Sequence, residues 1–230
     1  MTMASQTLTR PFHLSVDDLL RILENPMRRK ILEKLVKESH YPLQLSRELR
    51  VSQQAVVKHL RVLEAGQLVE SREEPSDIGG PPRRAYSAKR ALSMTIDVGP
   101  SLFRTEVRMI EPPTGRREFT QFEDGLARIQ DNGDVRRRVR MAAELVERID
   151  REIDGLDGKR SQLVAIKDRV LSRAHHDAER LFSSYQERSV LYALLDEGLR
   201  AASDLAARLE MRESLVNDVL RRLTAQRILA

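Results

Sequence analysis

The chain has 230 residues, 40% of them hydrophobic but only 4% aromatic, with no Trp. That leaves room for one or two domains with small cores, and a charged fraction of 33% points to much solvated helical surface. A net charge of +5 and a pI near 9.7 suit a partner such as nucleic acid, met by a locally basic face, although an arginine-rich genome raises the pI as well. The lack of Cys excludes disulfides, thiolate metal sites and cysteine switches. No apolar run approaches the ~20 residues that cross a membrane, and the start MTMASQTLTRPFHL lacks a signal peptide's apolar core, so a cytoplasmic protein is expected.

Residues 1–14 read as a flexible arm. Ser15-Val16-Asp17-Asp18 has the capping-box form, so a first helix starts there and runs through Leu19, Leu20 and Leu23 to Asn25. Asn25-Pro26 restarts a helix with a good cap and Pro at the first helical position; Met27, Ile31, Leu32 and Leu35 form its buried stripe. From Tyr41 to Val69, two short helical patterns meet at a tight turn. Pro42, Leu45 and Leu49 mark the first, and Ser52, Val56, Leu60 and Leu63 the second, with Gly66 as the expected left-handed residue that ends it. The second helix also carries a polar, basic stripe of Gln53, Gln54, Lys58 and Arg61. Such a face suits the major groove, where Gln pairs bidentately with adenine and Arg or Lys with guanine.

The run Ser52-Gln-Gln-Ala-Val-Val-Lys-His-Leu-Arg-Val-Leu-Glu-Ala-Gly66 resembles the recognition helix of ArsR-type winged-helix transcription regulators, over about Val16 to Leu92. Two departures stand out: Val57 replaces a small polar residue, and the family's metal-sensing cysteines are absent. The resemblance implies the fold without the sensing chemistry.

Gln67 to Glu73 alternates as a strand, Pro75–Pro82 is a loop, and Arg83-Arg84-Ala85-Tyr86-Ser87 returns. A hairpin after a recognition helix is a wing, whose Arg83 and Arg84 can reach phosphates or a minor groove; a solvated basic loop is the plainer reading. Gly79-Gly80 lacks the spacing of a phosphate-binding loop. In residues 93–133, Met94, Ile96 and Val98 alternate, as do Phe103, Thr105, Val107 and Met109, giving two strands around Gly99-Pro100. Glu111 to Gly115 and Asp131 to Asp134 are turns. Gly80 to Arg83 and Ile96 to Phe103 are similar to archaeal winged-helix regulators related to the sulfur-response regulator, which carry a Cys pair that this chain lacks.

From Asp134 the period changes. Val135, Val139, Ala142, Val146, Ile149, Ile153 and Leu156 follow alternating four- and three-residue steps, a coiled-coil seam. Leu163, Ile166, Val170, Ala174, Ala178 and Leu181 extend the apolar stripe to Tyr185. Gly155 and Gly158 leave a kink or a hairpin apex open, but the unbroken phase favours one helix, about 78 Å long. An exposed seam needs a partner, most simply a second copy of the chain. Shifted by 160, Arg28, Ile31, Leu35, Leu45, Leu49, Val56, Leu60, Leu63, Leu68 and Val69 fall on Arg188, Leu191, Leu195, Leu205, Leu209, Val216, Leu220, Leu223, Ile228 and Leu229. This is a second helix-turn-helix, wingless because the chain stops at Ala230. Glu213 and Asp218 replace Gln53 and Lys58, which favours packing or protein contact over DNA reading.

His175-His176-Asp177 invites a metal reading, yet adjacent helical residues diverge by about 100° and the pattern supplies no full ligand set. His59 reads as a groove or core-edge residue rather than a base. No nucleophile, paired-carboxylate or cofactor motif stands out, so no enzyme and no cofactor are expected.

These elements define a mainly α protein: a flexible arm (1–14), a winged helix-turn-helix DNA-binding domain (15–92), a β-strand connecting and dimerisation segment (93–133), a coiled-coil helix (134–186) and a second helix-turn-helix-like domain (187–230). The expected function is a homodimeric regulator reading a palindromic or pseudo-palindromic operator in double-stranded DNA. Gln53, Gln54, Lys58 and His59 read bases, while Tyr41, Gln44, Ser52, Arg61, Arg83 and Arg84 position the protein on phosphate. Strands and coil join the two copies, and the C-terminal domain holds a protein partner. The rival is an architectural or scaffolding protein that binds DNA without sequence choice; a catalytic domain within residues 93–133 would be too short to enclose a pocket.

Overall fold

In a computed structural model, residues 14–75, 82–111, 119–196 and 198–228 are described. The expected arm (residues 1–13 of it), most of the Pro75–Pro82 loop, the Gly80–Pro81 start of the second resemblance, the Pro112–Gly115 part of one turn and Leu229 lie outside these residues. The chain forms two compact units, one from Met1–Thr95 and Thr105–Pro112, the other from Ile96–Arg104 and Pro113–Ala230.

The first unit opens with α1 (Val16–Leu23), capped by the Ser15 hydroxyl, which accepts from the Asp18 N–H. It stops two residues short of the expected Asn25, because the Asn25 side chain instead caps α2 (Pro26–Leu35), accepting from the Met27 and Arg28 N–H groups. The bend between them is tied by Arg28 Nε, which donates to the Ile22 carbonyl. Next come α3 (Pro42–Leu49) and α4 (Gln53–Ala65). Between them Arg50 takes a left-handed conformation (φ 54°), letting Val51 N–H reach back to the Ser46 carbonyl. The apolar spacings converge as expected: Leu19, Ile31, Leu45, Val56, Leu60 and Leu63 are fully buried in one core.

Gly66 ends α4 for a different reason than expected. Its own φ is −76°, and the left-handed residue is Gln67 at 56°. The terminus is a Schellman turn in which Leu68 N–H donates to the Leu63 carbonyl and Gln67 N–H to that of Glu64. A Cβ at 66 would run into Ile22 Cδ1, so a larger residue there requires that terminal methyl to swing aside.

β1 (Val69–Glu74) and β2 (Arg83–Ala88) pair antiparallel from Val69↔Ala88 to Glu74↔Arg83, the expected hairpin. His40 adds a short third edge through reciprocal backbone bonds with Tyr86. β3 (Leu92–Val98) and β4 (Phe103–Met109) make a second two-stranded sheet, closed by Gly99 N–H donating to the Leu102 carbonyl. Of these strands, Leu92, Met94 and Val107 border the first unit's core.

In the second unit, residues read only as a connecting β segment include a helix, α5 (Thr120–Gln130). Its Phe122, Gly125 and Ile129 recur at three- and four-residue spacing, a signal too short to separate it from loop by sequence. α6 runs unbroken from Val135 to Leu181, so Gly155 and Gly158 do not mark the apex of a helical hairpin. It ends four residues before Tyr185, which begins α7 (Tyr185–Asp196). α8 (Ala202–Leu209) and α9 (Glu213–Ala225) follow. Adding 160 to α3 and α4 reproduces α8 and α9 residue for residue. The left-handed Glu210 (φ 52°) and Arg227 (φ 58°) match Arg50 and Gln67, and Ile228 N–H closes on the Leu223 carbonyl as Leu68 does on Leu63. Val190, Leu205, Val216, Val219 and Leu223 fill this second core, with Ala178 and Phe182 from the end of α6.

Candidate nucleic-acid interface

The candidate interface is built on α4. Burying Val56, Leu60 and Leu63 turns the helix so that Gln53, Gln54, Lys58 and Arg61 are exposed, at intervals that keep them along its open side. Ser52 holds the N-terminus, its oxygen accepting from Ala55 N–H at 3.2 Å, which leaves the hydroxyl proton to donate outward. His59 sits half-buried at the edge of this stripe. Removal from water, then the neighbouring Arg28 and Lys58 cations, hold its imidazole below the usual value, so it is neutral at pH 7. Val57, half-buried, offers no polar group.

Beside the N-terminus of α4 an open cleft of about 680 Å³ is lined by Tyr41, Pro42, Leu43, Gln44, Arg47, Gln53, Arg83 and Arg84. It brings Gln53 of the expected base-reading groups together with Tyr41, Gln44, Arg83 and Arg84 of the expected phosphate-positioning ones, while Ser52, Gln54, Lys58, His59 and Arg61 lie outside it along α4. Arg47 was missed in the sequence, although it stands three residues after Gln44 on the polar side of the same helix; nothing local showed that this side would face β2. Two expected phosphate ligands are already engaged. The Tyr41 hydroxyl donates to Glu74 at 2.7 Å, and the Gln44 side-chain oxygen accepts from Tyr41 N–H at 2.7 Å, leaving the Gln44 amide NH2 as the outward donor.

The wing register bears directly on its arginines. Arg84 lies opposite Glu73 and Arg83 opposite Glu74. Arg84 is held first by the Tyr86 hydroxyl and then by the field of Glu64 and Glu73, all of which favour its charged form. The wing therefore offers two exposed arginines with Glu73 and Glu74 at the register positions opposite them.

The corresponding face in the second unit differs in kind. Exposed Glu213 and Asp218 stand at the places of Gln53 and Lys58, and Asp218 is paired with Arg221 at 3.3 Å. Arg212 occupies the N-cap without capping through its side chain. His175 is packed on the Tyr192 ring (4.3 Å between centroids) and lies 3.6 Å from Asp196, so it serves to join α6 to α7. Among the described residues no group of three or more His, Asp or Glu is arranged to hold a metal ion, and no helix is long and apolar enough to cross a membrane.

Helices α2 to α4 with the start of the wing thus define a helix-turn-helix domain, and residues 23–72 match the family described as a helix-turn-helix domain. Among solved structures the chain is similar to reduced HlyU from Vibrio cholerae N16961, at 29% identity over 32% of this chain and 70% of that one (TM-score 0.28). The transcriptional regulator HlyU from Vibrio vulnificus CMCP6 gives the same figures: 29% identity, 32% and 70% coverage, and a TM-score of 0.28. NolR from Sinorhizobium fredii is 29% identical over 33% of this chain and 79% of that one (TM-score 0.27). No curated protein matched the chain.

Proposed function

We propose that the protein is a homodimeric transcriptional regulator that reads a palindromic or pseudo-palindromic operator with α4 in the major groove. The observation that carries this reading is the open stripe of Gln53, Gln54, Lys58 and Arg61 beside a cleft lined by Arg47, Arg83 and Arg84. Gln53, Gln54, Lys58 and His59 read base edges; Ser52, Arg61, Arg83 and Arg84 hold phosphates, with Gln44 through its amide and Tyr41 beside it. Dimerisation through Val135, Val139, Ala142, Val146, Ile149, Ile153 and Leu156 supplies two heads for two half-sites, about 34 Å or a multiple apart. The likeness to archaeal sulfur-response-related regulators and a protein partner for the C-terminal domain belong to the same reading, with the protein acting in the cytoplasm.

Titration of duplexes across a salt series tests it. Gln54→Ala is expected to narrow the gap between operator and random DNA by about 1–3 kcal/mol. Arg84→Ala is expected to weaken all duplexes alike and flatten the salt slope by about one. Unchanged binding of every duplex by Arg84→Ala at 100 mM salt would remove the wing from the interface. Equal affinity of the unaltered protein for random DNA and its own promoter would instead favour the architectural role.

A further inference from the structure

The seam on α6 is open in the single chain. Val135, Val139, Val146, Ile153 and Leu156 are 45–66% exposed and Ala142 and Ile149 half-buried, while the flank at Leu145 is closed by α5, whose Gly125 and Ile129 lie against it. With Val139, Val146 and Ile153 at heptad position a, and Val135, Ala142, Ile149 and Leu156 at d, the flanking e column reads Arg136, Ala143, Asp150, Asp157. The g column reads Arg138, Leu145, Glu152, Lys159. Farther along, the a positions become Arg160 and Lys167, and both are used within the chain. Arg160 pairs with Asp97, and Lys167 donates to the Asp196 carbonyl. The uninterrupted a/d seam therefore ends near Leu156, and the exposed Leu163, Ile166 and Val170 beyond it alternate with these two engaged cations.

Charge along this strip is polarised, basic at the start and acidic at the far end. In a parallel, in-register pair, each g residue meets the e residue five places on in the other copy. Arg138 then faces Ala143, and Glu152 faces Asp157, a like-charge contact made twice. In an antiparallel pair e meets e and g meets g. The register that stacks Val139 on Ile149, Val146 on Ala142 and Ile153 on Val135 sets Arg136 against Asp150 and Arg138 against Glu152, each twice. The first turns of α6 point the same way. Arg136, Arg137, Arg138 and Arg140 crowd a helix N-terminus, where the dipole disfavours cations, and none has an ion pair among the described residues. An antiparallel copy delivers Asp150 and Glu152 to that end.

Resting on the homodimer proposed above, we infer that the two copies associate through α6 in antiparallel orientation, with Arg136–Asp150 and Arg138–Glu152 pairs flanking the seam. The N-terminal ends of the two α6 helices then stand about 27 Å apart along the coil, at ~1.5 Å of rise per residue, instead of side by side.

The chain has no Cys, so single substitutions in the full-length protein give unambiguous cross-links. Val139→Cys and Ile149→Cys, oxidised separately, are expected to stay uncross-linked, and their mixture to form a disulfide-linked pair, because only the 139–149 contact comes within disulfide reach. Self-linking of Val139→Cys alone would overturn the orientation while leaving the dimer intact. A sedimentation profile that stays monomeric, with no cross-link in any combination, would overturn both. Independently, Glu152→Arg is expected to weaken the dimer about tenfold at low salt, and Arg138→Glu with Glu152→Arg to restore it. Tighter or unchanged association of Glu152→Arg would count against the antiparallel pair.

Discussion

Gly66 and His59 show how single positions answer to neighbours distant in sequence. At 66 the neighbour is the movable end of the Ile22 side chain, so Gly66→Ala is a mild overpacking change with an expected cost of about 1 kcal/mol, the low end for such changes. Ile22→Val in the same chain should return part of that loss. Denaturant unfolding checks it, and a change below ~0.5 kcal/mol would mean that the helix end moves aside freely. At 59 the fold prefers the neutral ring, since its imidazole is held below 6.5 by burial and by Arg28 and Lys58. The unfolded chain binds more protons in that range, so this contribution is intact above about pH 6.5 and is lost as pH falls toward the lower folded value. The melting temperature of wild type should therefore drop more steeply than that of His59→Gln between pH 7.5 and 5. Parallel profiles would show that the ring titrates as it does in water.

Among the elements, α6 makes the plainest test of continuity. Nothing lies within 4 Å of a Cβ built on Gly155 or Gly158, and both sit inside an unbroken helix. Replacing either with Ala should add about 0.5–1 kcal/mol by restricting the unfolded chain, read as a rise in melting temperature with no loss of helical signal. A fall would show that the helix bends there and needs its glycines. The paired domains teach a second lesson at this scale. α4 and α9 share length, register and terminal turn, yet one presents Gln53, Gln54 and Lys58 where the other presents Glu213, Ser214 and Asp218. Buried positions preserved the fold, and exposed positions were free to take different chemistry.

For the whole molecule, each unit has a core of its own, with Leu60 fully buried in one and Leu223 in the other. Leu60→Ala and Leu223→Ala should each cost about 2–5 kcal/mol. In calorimetry each is expected to lower a different transition, and a single transition lowered equally by both would show one cooperative unit. Much of this architecture could be read in advance. Heptad steps located α6, caps located α1, α2 and α4, and a gapless shift of 160 located the second helix-turn-helix, because burial periodicity and capping are local and repeat with the backbone. The cleft could not be read this way. Arg47, Arg83 and Gln53 come together only when α3, α4 and β2 pack, and the strand register alone sets Glu73 and Glu74 against the wing arginines.

By itself the sequence determined the periodic elements and the polar face of α4, since both follow from where apolar side chains recur along a helix. Only the tertiary structure decided that position 66 lies against Ile22, that Tyr41 is bound to Glu74, that α5 closes one flank of α6, and that Arg160 and Lys167 are engaged within the chain. Each of these depends on which surfaces meet, and contact between distant segments leaves no local period to read.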